Sequence, residues 1–197
     1  EAFCYQLYYF FYYIYYKGAG HLIAIIIGVI VTILDQITKI IVQNVKPTGS
    51  KNPGFIDFRL TYNQGAAFSF MDNNTLFLAI LSLVASALII YIILKYIPFK
   101  TKKLLHISMG LILGGCVGNL IDRFMTVFKW RKGVIDFIDV YLGSWHFPGT
   151  FNVADFFLVT GVCLIILDII IDEIKNRKST IKAKERLSGD DNENNSK

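Results

Sequence analysis

Charged residues are scarce in this chain. Asp, Glu, Lys and Arg make up 18% of its 197 residues, whereas hydrophobic residues make up 54%. This apolar content excludes an intrinsically disordered protein and disfavours a single soluble domain. There are also only three cysteines and three histidines. Because they are scattered along the chain, the sequence indicates no disulfide framework, metal site or cofactor. The composition indicates a protein whose solvent is lipid.

The positive charge of the chain is modest and unevenly placed. The formal net charge is +5. The basic residues lie in short clusters between apolar runs and near the C-terminus, and they do not follow one face of a domain. This pattern disfavours nucleic acid as a partner and favours membrane lipids.

Four apolar stretches have about the 20 residues that a helix needs to cross the hydrocarbon core. They cover approximately residues 22–45, 76–97, 107–127 and 153–171. We therefore predict an all-α polytopic membrane protein with four transmembrane helices. The segment FIDFRLTYNQGAAFSF, between the first two stretches, partly alternates apolar and polar residues. It predicts a small extracytoplasmic β-like element at the membrane surface.

The two ends differ in composition from the four-helix part, residues 22–172. Residues 1–20 form an aromatic leader that is either an interfacial strip or a non-native extension, and we assign it no function. Residues 173–197 form a tail that is first basic and then polar, and we expect its last segment, SGDDNENNSK, to be disordered.

The basic clusters also predict the orientation in the membrane. The link KYIPFKTKKLLH and the tail are strongly basic, so both are expected in the cytoplasm, together with the N-terminus. The loops at about 46–74 and 128–152 would then lie outside. Several basic residues depart from this rule because they fall in the outer loops: Lys46, Lys51, Arg59, Lys129, Arg131 and Lys132.

Ionisable side chains within the apolar stretches are the main candidates for function, because each is costly in lipid unless it is paired or hydrated. Asp35 and Lys39 are four residues apart, and we interpret them as a structural pair or a headgroup anchor. Asp122 and Asp155 are expected at similar depth near the outer surface, where they could face one another. Two carboxylates in a partly dry site share a proton and can activate water, as in aspartic proteases.

Two other classes of protein fit the same acids. A small ion or proton transporter would use Asp35, Asp122 and Asp155 as relay groups. A purely structural four-helix membrane protein would pair them with Lys39 and Arg123. The residues alone leave these alternatives open.

Five motifs in order resemble the lipoprotein signal peptidases, also called signal peptidase II. They are DQITK (35–39), NQGAAF (63–68), GNLIDR (118–123), VIDFID (134–139) and FNVAD (151–155). The resemblance implies a bacterial aspartyl endopeptidase of the cytoplasmic membrane, with its active site near the outer leaflet. It also implies a substrate, a prolipoprotein cut just before a cysteine that bears diacylglycerol.

The resemblance also implies a role for each matching residue. Asp122 and Asp155 would be the catalytic pair. The residues expected to line the substrate site are Asn63, Gly65, Asn119, Arg123, Asn152 and Ala154. A supporting role is implied for Asp35, Lys39, Asp136 and Asp139. The chain is expected to act as a monomer without metal or cofactor.

Overall fold

The structure is a computed structural model that describes residues 2–51, 54–65, 74–97 and 103–194, with side chains described from residue 21 to 181 of these ranges. Its elements in chain order are α1 (Ala2–Val45), β1 (Ile56–Asn63), α2 (Thr75–Tyr96), α3 (Lys103–Val127), β2 (Val134–Leu142), β3 (Trp145–His146) and α4 (Val153–Asn194).

Four helical segments are long and apolar enough to cross a membrane. They are His21–Val45, Thr75–Tyr96, Lys103–Val127 and Val153–Ile181. Their outward faces carry exposed aliphatic side chains such as Ile30, Leu81 and Ile166, as lipid requires. The predicted fold of four transmembrane helices with a small β element is confirmed.

The first and last helices, α1 and α4, are longer than their membrane-spanning segments. Helix α1 already begins at Ala2, so the aromatic leader is continuous with the first membrane segment. Helix α4 continues to Asn194, so the expected disorder of SGDDNENNSK is wrong as far as that residue. The expectation was based on the lack of an apolar face, but a helix that already exists needs no new nucleus to extend.

Helix α3 lies at the centre and packs against α1, α2 and α4. Its glycines permit the close approach. A Cβ atom at Gly114 would lie 2.5 Å from Val31 Cβ on α1, and one at Gly115 would lie 2.5 Å from the Ala154 carbonyl oxygen on α4. The small residues of α3 therefore permit its close packing against both neighbours.

The three strands form one antiparallel sheet in the order β1-β2-β3. Asp57 pairs with Asp139 and Asn63 with Val134, with a bulge between Phe58 and Thr61. The sheet lies where α1 and α3 end and where α2 and α4 begin; we call this membrane face the sheet side. Strand β1 was predicted, whereas β2 was not predicted as a strand.

Because Gly114 touches α1 so closely, Gly114→Ala is expected to destabilise the helix bundle by about 1–3 kcal/mol, the usual range for overpacking. The matched control is Gly54→Ala, because a Cβ atom at Gly54 would meet no atom within 4 Å. Thermal unfolding in detergent measures both. A Gly114→Ala protein as stable as the Gly54→Ala protein would contradict the close packing of α1 on α3.

Candidate active site

A buried ionic network joins α1, α3 and the segment before β2. The Lys39 ammonium lies 2.8 Å from Asp35 Oδ2 and 2.9 Å from Asp122 Oδ2, and all three side chains are fully buried. Arg131 pairs with the other oxygen of Asp122. The predicted pair of Asp35 and Lys39 is confirmed, but it is part of a larger network of two acids and two bases.

Backbone groups complete this network. The amide of Ala154 in α4 donates to Asp35 Oδ1 at 2.9 Å, and the amide of Ile135 in β2 donates to Asp122 Oδ2 at 3.2 Å. Two buried anions are balanced here by two cations and by hydrogen bonds, which is the condition under which buried charge is tolerated. The network therefore fixes α1, α3, α4 and β2 relative to one another.

Asp155 and Asn152 begin α4 with a reciprocal cap. The Asp155 amide donates to Asn152 Oδ1 at 2.9 Å, and the Asn152 amide donates to Asp155 Oδ2 at 3.2 Å. This is the geometry of a capping box, in which the first turn of a helix satisfies its own amides. The cap fixes the Asp155 carboxylate, which is partly exposed.

Asp136 lies in β2 and is held beside this cap. Its carboxylate accepts hydrogen bonds from the side-chain amides of Asn152 at 2.6 Å and Asn63 at 3.0 Å. Phe151 pairs with Ile138 through backbone hydrogen bonds in both directions. This pairing fixes the register of the FNVAD segment on β2, so Asn152 contacts Asp136 on one side and Asp155 on the other.

Asp136 is 3% exposed. Its burial, together with the nearby charge of Asp155, raises the pKa of Asp136 from the ordinary 3.8 to about 7. The hydrogen bonds from Asn63 and Asn152 oppose this shift, because they favour the ionised form. With this pKa, the Asp136 carboxyl group is partly protonated near neutral pH. The second carboxylate that influences it is that of Asp155.

Asn119 connects this pair of acids to the ionic network. Its amide nitrogen donates to Asp155 Oδ1 at 2.8 Å, and its oxygen accepts from Asn152 at 3.0 Å and from Lys39 at 3.1 Å. The hydrogen-bonded path from Asp122 to Asp155 thus runs through Lys39 and Asn119.

The remaining residues predicted for the substrate site lie around these carboxylates. Gly65 is buried and its amide donates to Asn63 Oδ1 at 2.9 Å, which orients the Asn63 amide toward Asp136. Arg123 donates to the Ser82 hydroxyl of α2 at 3.1 Å. Its Nε atom is buried and makes no hydrogen bond in the part of the chain that the structure describes.

Asp139, predicted as a supporting residue, belongs to a different cluster. It is three residues from Asp136 on the same strand, so the two side chains lie on opposite faces of the sheet. Its carboxylate accepts from Arg59 at 2.6 Å and from Thr150 at 2.8 Å. This cluster connects β1, β2 and the segment before α4.

Sequence reasoning missed three residues of the site. Gln36 donates to Asp35 at 3.1 Å and to Asp122 at 3.3 Å. Arg131 pairs with Asp122, although the sequence placed it in a loop. A Cβ atom at Gly133 would lie 2.7 Å from the Asn63 carbonyl oxygen, so only glycine lets β1 and β2 meet there. The position of Gln36 inside the DQITK motif was the one available signal.

Comparison with known proteins agrees with the four-helix architecture. A family model described as Signal peptidase (SPase) II matches residues 26–171. A lipoprotein signal peptidase of Listeria monocytogenes serotype 4a (strain HCC23) is 38% identical over 156 residues, which are 77% of this chain and 96% of the relative. Another, of Janthinobacterium sp. (strain Marseille), is 38% identical over 148 residues, or 72% of this chain and 84% of the relative.

A solved structure is also similar. It is a bacterial membrane enzyme determined by the in meso method at 2.3 Å resolution, with a TM-score of 0.65 and 30% identity over 76% of this chain and 88% of that chain. The residues matched by the family model, 26–171, include the sheet and most of the four membrane segments. The chain is a bacterial membrane peptidase and belongs to the signal peptidase II family.

Proposed function

We propose that this peptidase removes the signal peptide from diacylglyceryl-modified prolipoproteins, and that Asp136 and Asp155 are its catalytic pair. The observation that carries the assignment is that Asn152 hydrogen-bonds to both carboxylates. This differs from the pair expected from the sequence, Asp122 and Asp155, which stays as the alternative. The relatives named lipoprotein signal peptidase support the substrate class.

The surroundings of Asp122 argue against a catalytic role for it. Its two carboxylate oxygens contact Lys39, Arg131 and the Ile135 amide. These contacts occupy both oxygens and leave little capacity to bind a water molecule. Asp136 has no such cation contact among the described residues and has a raised pKa.

The charges around the site favour one shared proton. The site contains three positively charged residues and four acidic ones: Lys39, Arg123, Arg131, Asp35, Asp122, Asp136 and Asp155. Three cations then oppose four carboxylates, so a single proton makes the cluster neutral. Because the pKa of Asp136 is about 7, we assign the proton to Asp136 and leave Asp155 ionised.

The proposed reaction follows from these protonation states. Asp155 accepts a proton from a water molecule, whose oxygen attacks the carbonyl carbon of the scissile peptide bond. Asp136 donates its proton to the carbonyl oxygen, which forms a tetrahedral gem-diol. In the collapse of the gem-diol, Asp136 takes back a hydroxyl proton as the C–N bond breaks. Asp155 delivers the proton that it took from water to the amino nitrogen of the lipidated cysteine.

Other polar groups have positions suited to the peptide. The unbonded Arg123 Nε atom and the Asn63 amide are donors next to the acids, so we propose that they bind substrate carbonyl groups. The acyl chains of the substrate would remain in lipid and hold the scissile bond at the depth of the acids, which lowers the entropic cost of positioning. Residues 66–68 of the NQGAAF motif lie outside the described residues.

The orientation follows from the same proposal. Prolipoproteins are processed on the outer side of the cytoplasmic membrane, as the family resemblance implies. The sheet side would therefore face outward, with the N-terminus and the tail after α4 in the cytoplasm. A monomer suffices, because the acids and their hydrogen-bonding partners come from one chain.

Cleavage should depend on both proposed catalytic acids. Asp136→Asn and Asp155→Asn are each expected to lower cleavage of a diacylglyceryl-modified prolipoprotein by about 10²–10⁴-fold, the usual contribution of general acid–base groups. Purified protein in detergent or vesicles, with mass analysis of the product, measures this. The matched control is Asp168→Asn, thirteen residues along α4 from Asp155 and about 20 Å further into the membrane, which should cleave normally. Near-normal cleavage by Asp136→Asn would contradict the assignment.

The rate of cleavage should depend on pH through the protonation of Asp136. A raised pKa means that Asp136 keeps its proton below pH 7 and loses it above, with the midpoint at about 7. Since the proton is needed by the carbonyl oxygen, kcat/KM should fall about tenfold per pH unit on the alkaline side, as for loss of one essential proton. The measurement is a pH profile at low substrate concentration with folding monitored in parallel. A flat profile to well above pH 8 would count against Asp136 as the acid.

Stability and activity measured together distinguish Asp122 from the proposed catalytic pair. Asp122→Asn leaves Arg131 buried without its anion and weakens the hold on Lys39, so the free energy of unfolding should fall by about 3–5 kcal/mol. Replacing Arg131 as well, in Asp122→Asn/Arg131→Gln, should restore part of the stability, as measured by thermal unfolding.

The activity of Asp122→Asn per folded molecule should exceed that of Asp136→Asn. A stably folded but inactive Asp122→Asn protein, beside an active Asp136→Asn protein, would instead support the alternative pair.

A further inference from the structure

Two helices end at a lysine whose backbone has a left-handed conformation. The φ angles are 52° at Lys46, after α1, and 62° at Lys129, after α3. The Lys46 amide donates to the Val42 carbonyl at 2.8 Å. After α3, the amides of Lys129 and Trp130 donate to carbonyls of the last turn at 3.0 and 2.8 Å. Both are helix C-caps at which glycine is the favoured residue.

The choice of lysine at these positions has a conformational cost, because a Cβ atom makes positive φ unfavourable. At two other turns with positive φ, this chain uses Gly49 and Gly143. A cation near a helix C-terminus does interact favourably with the helix dipole. A lysine in the last helical turn would provide that interaction at ordinary φ, yet the last turns of α1 and α3 contain no basic residue. The charge is instead placed just beyond the helix end.

Both lysines lie on the sheet side, and a third basic residue is close in sequence. Lys132 is exposed, with its ammonium 6.0 Å from the centre of the Tyr62 ring. Within the described ranges, Lys46, Lys129 and Lys132 form no ion pair with a carboxylate. Two arginines nearby in the sequence differ from them, because Arg131 pairs with Asp122 and Arg59 with Asp139.

The side chains beside these lysines are apolar and exposed. Val45 is 70% exposed, Phe128 60% and Trp130 78%. The centres of the Phe128 and Trp130 rings are 5.5 Å apart. Val45 is the last residue of one membrane-spanning segment, and Phe128 and Trp130 follow another, which places all three at the depth of the headgroups. Aromatic residues favour this depth, and unpaired ammonium groups at the same depth attract anionic lipids.

We propose that Lys46, Lys129 and Lys132, here called the lysine collar, bind the phosphate groups of anionic phospholipids in the leaflet on the sheet side. The occupant is a phospholipid with net negative charge, such as phosphatidylglycerol. A zwitterionic lipid also has a phosphate, but its own ammonium group opposes the lysines. Phe128 and Trp130 contact the glycerol and upper acyl region of the same lipids. This proposal is independent of which acids cleave the substrate.

The natural fluorescence of the chain provides a direct test. Trp130 and Trp145 are its two tryptophans, and Trp130 directly follows Lys129. In a Trp145→Phe protein, Trp130 alone reports the neighbouring lipids. Vesicles of phosphatidylcholine and phosphatidylglycerol are prepared with bromine on the acyl chains of one lipid or the other. Quenching by each brominated lipid then gives their relative association with the protein.

The variant to compare is Lys46→Asn/Lys129→Asn/Lys132→Gln. Asparagine is neutral and tolerates positive φ, so both helix caps are retained. The control is Lys103→Gln, which removes an exposed lysine at the opposite end of α3.

The wild-type collar is expected to favour brominated phosphatidylglycerol by on the order of fivefold or more at low ionic strength, about the effect of one lysine near an anionic surface. High salt and the triple variant should bring the preference close to one, and Lys103→Gln should leave it unchanged. Equal quenching by the two lipids in the wild-type protein would overturn the proposal. So would a triple variant with the wild-type preference.

Discussion

The buried ammonium group of Lys39 is the contact on which the arrangement of this site depends. It is fully buried and contacts Asp35, Asp122 and Asn119. A cation in a membrane-spanning segment is stable only when such partners surround it. Each partner also binds a further group: Asp35 binds the Ala154 amide, Asp122 the Ile135 amide and Asn119 the Asp155 carboxylate. This one charge therefore fixes where α1, α3, α4 and β2 meet.

The proposed catalytic acids differ from the network acids in what surrounds them. Asp122 contacts two cations, whereas Asp136 and Asp155 are held by amides of Asn63, Asn119 and Asn152. Neutral donors orient a carboxylate without fixing its charge as strongly as an adjacent cation does. The structure thus contains one set of acids that is bound by cations and joins helices, and another set that is held by neutral amides.

The sequence predicted the parts of the fold that depend on local composition. Apolar length alone predicted the four membrane segments, and the spacing of Asp35 and Lys39 predicted their pair. The sequence could not predict that Asn152 would join Asp136 to Asp155, because this arrangement depends on the backbone pairing of Phe151 with Ile138 and on a strand that was not predicted. It also could not predict that Arg131, a loop residue, would neutralise Asp122.

Infrared difference spectroscopy of the reconstituted protein shows directly whether Asp136 carries the shared proton of the proposed catalytic pair. The spectra are recorded while the pH is raised through neutrality. If Asp136 carries this proton, a protonated-carboxyl band should disappear with a midpoint of about 7, be absent from Asp136→Asn and remain in folded Asp122→Asn. A band that remains in Asp136→Asn and is lost from Asp122→Asn would contradict this assignment of the proton.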